Sequence, residues 1–368
     1  MVSDEEYLKG NKGEWSELYV FLKLLGDGRV YGADQDLQRK SDRYYDINTV
    51  IRDEGNGTYE YVVDSDNNLI KIIVNNKILG EITDLEIIEQ YRYLFQKILE
   101  GKGSFEIPET QQFMKILKVT KIKAPSSDKT DISFELTEPK TGLVTTQGFS
   151  IKSKVGSPST LVNASVATNF IFALDGGMNE EIAKQVNGLM LSESKTKVVD
   201  GLFILRNNGI KLRYSDTENK TLSNNLTMID SSLPQIVAEM LLLYYDRGIS
   251  HIMDQIRELN RCNPLKYRNP GDTPYYDFKV KRLLTAYALG MRSSKPWHGD
   301  EEANGGYIVV KKDGDIVCYH IYDRKSFENY LVANTKMETA STSKHGFGLI
   351  FKEDGEYKIK LNLQIRFT

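Results

Sequence analysis

The sequence predicts an α+β fold in which a mixed β-sheet is flanked by helices, with further helical and β elements added to that core. Three observations predict it. Apolar residues recur at helical spacing near the amino end, period-two alternation dominates the middle and the carboxyl end, and a helix-rich stretch separates those two β regions.

Trp15, Leu18, Leu22 and Leu25 share one helical face, so Glu14 to Leu25 reads as an amphipathic helix stopped by Gly26. Between Gly57 and Ile82 the runs YEYVV and LIKIIV flank Asp66, Asn67 and Asn68, which is turn chemistry between two strands. Leu85 to Leu99 carries Ile87, Ile88, Tyr91, Leu94, Phe95 and Ile98 at helical spacing and ends at Gly101. A short helix over Thr110 to Leu117 follows, then strands over Asp131 to Thr137 and Thr145 to Ser153, and the apolar run NFIFAL at Asn169 to Leu174 reads as the centre of a sheet. Beyond Gly177 the reading is a helix at Asn179 to Val186, strands at Gly201 to Arg206 and Ile210 to Tyr214, a helix from Leu233 to Tyr245, and helices as far as Gly290. From Tyr307 the runs YIVV, DIVCYHIY, FGLIF and KIKLNLQIRF return to strand alternation. Neither a repeat nor a Pro, Gly or Ser-rich linker divides the chain. The expectation is one enzyme chain over 1–368, with the catalytic core in 1–175 and helical and β elements for recognition and dimerisation in 176–368.

Composition excludes several classes. Of 368 residues, 40% are hydrophobic and 27% charged, so the chain is neither disordered nor a membrane protein in type. Cys262 and Cys318 are too few for a disulfide framework or a four-cysteine zinc module, and a reducing cytoplasm fits them. Met1 to Gly10 is polar and acidic, with no apolar leader, and no run of 18 apolar residues occurs. The net charge of −3 lacks the basic excess of a nonspecific nucleic-acid binder. Its distribution is more telling. Phe278 to Gly299 holds Lys279, Lys281, Arg282, Arg292 and Lys295 without an acid, and Pro139 to Leu174 holds only Lys140, Lys152 and Lys154 as charges. Solvated helix faces explain such windows as readily as a polyanion does.

Chemistry concentrates in the first two central strands. Asp131, Ser133 and Glu135 alternate with Ile132, Phe134 and Leu136, while Ser150, Lys152 and Lys154 alternate with Phe149, Ile151 and Val155. An aspartate and a lysine therefore meet across neighbouring strands, which is what phosphodiester hydrolysis with Mg²⁺ requires: carboxylates for the cation and a cation for the phosphate. A strand with a solvated polar face gives the same pattern. Glu14, one turn before Leu18, leans toward the buried face, where an unpaired carboxylate is unfavourable. Glu17 aligns instead with Phe21 and Leu24, and either acid also suits a helix amino end. The four histidines are remote from any nucleophile motif, and no phosphate-binding glycine loop is present.

The runs GNKGEWSELYVFLKLL at Gly10 to Leu25 and GFSIKSKVGSPSTLVNASVATNF at Gly148 to Phe170 resemble the HpaII family of type II restriction endonucleases, and TASTSKHGFGLIF and KLNLQIRF extend that resemblance to the carboxyl end. The resemblance implies a PD-(D/E)xK nuclease core, in which Asp131 matches the metal-binding aspartate and Lys152 the lysine. Ser150 departs from the pattern, standing where a second acid is expected. Glu14 is the expected substitute, preferred to Glu17 on the same helix, with Glu135 and Gln147 behind it, and the carbonyl of Ile151 completes an expected Mg²⁺ set with Asp131 and Glu14. The family further implies cleavage of double-stranded DNA at the palindrome CCGG, a homodimer on that palindrome, and a cognate DNA methyltransferase. A homologue with another recognition sequence and a non-catalytic DNA-binding relative are the alternatives. Candidate DNA contacts are Lys154; Asn163, Ser165 and Asn169 after the catalytic strand; Arg292, Ser294 and Lys295 in the acid-free window; and Ser343, Lys344 and His345 before two glycines. Capping, turns and simple solvation are the competing readings of these residues.

Overall fold

The computed structural model describes residues 7–124, 129–268 and 272–368. The chain forms two compact units, Met1–Ser159 with Glu301–Tyr330 and Thr160–Asp300 with Leu331–Thr368. They interleave in sequence. The stretch Glu301–Tyr330 belongs with the amino-terminal unit because it supplies strands to that unit's sheet.

The first unit opens with α1 (Lys12–Asp27). The Asn11 side chain accepts from the Gly13 and Glu14 amides and Glu14 reaches back to the Asn11 amide, a capping box, while Gly28 in the left-handed region closes the far end on the Leu24 carbonyl. Five strands follow: β1 (Arg29–Ala33), β2 (Arg39–Asp53), β3 (Thr58–Asp64), β4 (Leu69–Val74) and β5 (Lys77–Thr83). Then come α2 (Asp84–Glu100), α3 (Pro108–Ile116), β6 (Ile132–Glu138) and β7 (Leu143–Ser153). The expected hairpin at 57–82 is a three-strand meander, because Asn75 and Asn76 take positive φ and turn the chain into β5. The long strand β2 has no expectation behind it, since its polar run RKSDRYYDINTVIRD hides the alternation.

In the second unit β8 (Thr160–Val162) leads through a 3₁₀ turn at Val166–Thr168 into β9 (Asn169–Asp175). Next are α4 (Glu180–Met190), α5 (Lys197–Asn207), β10 (Lys211–Thr217), α6 (Lys220–Ile229), α7 (Leu233–Arg247), α8 (Ile252–Cys262) and α9 (Tyr275–Leu289). The strand expected at Gly201 to Arg206 is instead part of α5. Val198, Leu202 and Leu205 are buried at helical spacing while Phe203 is exposed, a pattern a short apolar run does not reveal. The chain returns to the first unit for β11 (Gly306–Val310) and β12 (Ile316–His320), continues through α10 (Arg324–Ala333), and ends with β13 (Thr335–Met337), α11 (Thr342–His345), β14 (Ile350–Glu353), β15 (Glu356–Asn362) and β16 (Ile365–Phe367). Among the described residues no single helix is long and apolar enough to cross a membrane.

The first unit holds a nine-stranded mixed sheet in the order β1-β12-β11-β7-β6-β2-β3-β4-β5. Trp15, Leu18, Phe21 and Leu22 of α1 are buried in one core with Phe134 and Phe149, whose rings stack at 4.4 Å. The second unit has a four-stranded sheet, β10-β9-β15-β14, and a three-stranded one, β13-β16-β8. The NFIFAL run is central as expected, but in this second sheet rather than beside β6 and β7.

Candidate active site

β7 lies between antiparallel β6 and parallel β11, with Lys152 opposite Val309. Asp131 immediately precedes β6, and its amide donates to the Phe149 carbonyl at 2.9 Å, which carries the ladder one residue further and fixes the side chain beside β7. Its Oδ2 accepts from Ser150 Oγ at 2.9 Å and from the Ile151 amide at 2.6 Å. Lys152 Nζ donates to the same Ser150 hydroxyl at 2.8 Å and lies 5.0 Å from the Tyr307 ring centre. Ser150, at 3% exposure, thus bridges the aspartate and the lysine. Burial holds the Lys152 ammonium below its usual pKa, against the opposing pull of Asp131 and Glu17.

Two carboxylates come from the first turns of α1, and they differ. Glu14 accepts from the Asn11 amide at 2.8 Å and pairs with Lys123. Burial works to raise its pKa, but those bonds and the Lys123 charge outweigh it and leave the carboxyl below its ordinary value. Glu17 accepts a hydrogen bond from the Ala124 amide at 2.9 Å. Burial first, and then the charge of Asp131, push it up to about 8, with Ala124, Lys123 and Lys152 pulling the other way. Glu17 is therefore the α1 acid that is electrostatically coupled to both Asp131 and Lys152. The spacing of Glu14 from Leu18 does not single it out, because α1 is buried continuously from Leu18 to Leu25 and presents no simple solvent face. Both acids line a cleft of about 810 Å³ together with Lys12, Lys102, Ile151 and Ser153. Asp131 lines an adjoining hollow of about 180 Å³ with Lys121 and Lys123. Sequence reasoning passed over Lys123 and Tyr307, whose roles depend on contacts across more than a hundred residues. The lesser alternatives are engaged elsewhere: Glu135 accepts from Asn48 Nδ2 at 3.2 Å, and Gln147 Oε1 lies 2.6 Å from His320 Nε2.

The proposed DNA contacts fall into distinct settings. Lys154 is half-buried on the first unit, with its pKa lowered by burial and by Lys312. In the second unit Asn163 is exposed just past β8, and Ser165 closes the 3₁₀ turn, its amide bonded to Thr168 Oγ1 at 3.0 Å. Asn169, a DNA contact in the sequence reading, is fully buried. Its Nδ2 donates to Glu218 at 2.8 Å and to the His345 carbonyl at 2.9 Å, and its Oδ1 accepts from Asn362 at 2.6 Å. It stands behind the segment that carries Ser343, Lys344 and His345, where Ser343 and Lys344 are exposed and His345 is half-buried. Arg292 is half-buried and Ser294 and Lys295 are exposed on the loop after α9.

Among the described residues no cluster of three or more His, Cys, Asp and Glu side chains is gathered for a metal. Asp131 and Glu17 nevertheless have the hard oxygen donors that suit a divalent cation keeping most of its shell as water and phosphate oxygen, and the charge of Asp131, after burial, helps to raise the Glu17 pKa. The profile of the HpaII restriction endonuclease family matches residues 11–367. The type II restriction enzyme HpaII of Haemophilus parainfluenzae is 42% identical over 368 residues, covering 98% of this chain and 99% of that protein. No solved structure matches the chain significantly. On these grounds, with the match running through both units, the chain belongs to the HpaII restriction endonuclease family and is a type II restriction endonuclease.

Proposed function

We propose that the protein cleaves double-stranded DNA at CCGG, between the two cytosines of each strand, by Mg²⁺-dependent hydrolysis on a PD-(D/E)xK core. The observation that carries the chemistry is the hydrogen-bonded line from Asp131 through Ser150 to Lys152, with Glu17 in electrostatic reach. Asp131, Glu17 and the Ile151 carbonyl would hold the cation, which supplies positive charge to the phosphate oxygens as negative charge develops there. Glu14, the other α1 acid, keeps Lys123 in place and closes the helix start.

Lys152 acts beside the scissile phosphate. Its ammonium, held by Ser150, orients the attacking water, and its depressed pKa eases proton exchange with that water. Attack in line with the leaving 3′-oxygen gives a 5′-phosphate and a 3′-hydroxyl. A palindrome read by identical chains calls for two-fold symmetry, hence a homodimer on DNA, and a partner methyltransferase protects the same sequence in the host. The site is tested by digesting a sequenced plasmid in Mg²⁺ and mapping every end. Cuts confined to CCGG with 5′-phosphate ends are expected; discrete cuts at another sequence would overturn the CCGG reading while leaving the nuclease.

A further inference from the structure

The acid-free window from Phe278 to Gly299 is not uniformly available to a polyanion. Lys279 pairs with Asp230, Lys281 pairs with Asp277 at 2.8 Å, and the Arg282 guanidinium lies 5.0 Å from the Phe278 ring centre. What the window presents is concentrated in the irregular segment from Arg292 to Trp297, where Ser294, Lys295 and Pro296 are exposed.

That segment has no regular secondary structure, yet it is fastened from behind by one buried side chain. Asn225 of α6, 3% exposed, donates from Nδ2 to the Arg292 carbonyl at 3.2 Å and to the Lys295 carbonyl at 2.9 Å. Its Oδ1 accepts from the Trp297 amide at 3.1 Å. Tyr287 and Ser293 share a further hydrogen bond at 3.0 Å, and the Trp297 indole donates to the Asp300 carbonyl at 2.8 Å. A single amide thus answers both polar ends of the loop, and buried Met291 anchors its start. A loop held in this way presents its side chains with little ordering to complete on binding, which base-edge readout demands, because the donor fork must meet guanine acceptors within hydrogen-bond tolerance. Phosphate contacts tolerate much looser geometry.

We propose that Asn225 is a specificity-positioning residue: by locking the backbone from Arg292 to Trp297 it sets that loop as a base-reading element in the major groove. This rests on the restriction-endonuclease reading above. Asn225 itself touches no DNA; it acts through the loop.

The test compares kcat/KM on a duplex carrying the mapped site with duplexes changed at one base pair, for the full-length protein and for Asn225→Ala and Asn225→Asp. Asn225→Asp keeps the acceptor for Trp297 but turns both donors into a charge facing two carbonyls. For both variants the expected result is a fall in the cognate-to-mismatch ratio of about tenfold to a hundredfold. Binding of nonspecific DNA stays at the wild-type level, and the amides of residues 292–295 and of Trp297 exchange hydrogen faster. Folded variants that keep the wild-type ratio, or lose cognate and mismatch cutting in equal measure, overturn the proposal. Should neither variant fold, Ser294→Ala and Lys295→Ala alter exposed side chains only; a wild-type ratio in both overturns it as well. A wild type that cuts without sequence preference would instead sink the underlying functional reading.

Discussion

At the scale of single residues, the approach of Asp131 and Lys152 to each other through Ser150 was legible because a period of two places side chains on one face whatever the tertiary setting. The different settings of Glu14 and Glu17 were not legible, since they depend on Lys123 and Ala124 reaching α1 from beyond α3. The serine at 150 read from sequence as a missing acid, and the structure shows it as a hydroxyl that both donates and accepts. Ser150→Ala should leave folding intact, since Asp131 keeps the Ile151 amide, but release Lys152; single-turnover rates are expected to fall about tenfold to a hundredfold. Glu17 also makes a pH prediction. Its carboxyl ionises near 4.5 when unperturbed and at about 8 in the fold, so across that interval the folded chain holds a proton that the unfolded chain has lost. Stability of the metal-free protein therefore falls as pH rises from about 4.5 to about 8. Glu17→Gln should flatten that slope in thermal melts and raise the melting temperature at pH 8 while removing cleavage; an unchanged slope would contradict the assignment.

At the scale of elements, the two amphipathic helices near the amino end were legible from their apolar spacing, but their starting caps and the end of α1 were not: α1 begins on the Asn11 box and runs through Gly26 to Gly28, and Thr83 with Glu86 begins α2. Elements whose pattern is set by partners were not. β2 is polar in sequence yet central in its sheet, and the α5 run GLFILR offered no period long enough to separate helix from strand. Nor could sequence show that β11, more than 150 residues downstream, pairs with β7 beside Lys152. Asn11→Ala removes the α1 cap and should lower stability by about 1 kcal/mol in urea melts, with a drop in cleavage because α1 carries both acids. Gly306 opens β11 at φ +109°, and a Cβ there would lie 2.1 Å from the Tyr319 carbonyl oxygen. Gly306→Ala is therefore expected to cost on the order of 3 kcal/mol, seen as a marked loss of melting temperature.

For the whole molecule, a net charge of −3 means that DNA affinity must come from local cations rather than from the overall field. The homodimer expected on a palindrome predicts two chains per duplex by sedimentation in Ca²⁺ or with an inactive variant; one chain per duplex would contradict it. The two units interleave along the chain, an arrangement that no linker in the sequence signals. The most direct measurement is single-turnover cleavage of one mapped site by Asp131→Ala, Lys152→Ala, Glu17→Gln and Glu14→Gln, side by side with wild type at saturating enzyme. The first three are predicted to lose about a thousandfold or more, and Glu14→Gln to stay within about tenfold. A Glu17→Gln enzyme that cuts like wild type while Glu14→Gln is inactive would contradict this account of the active site.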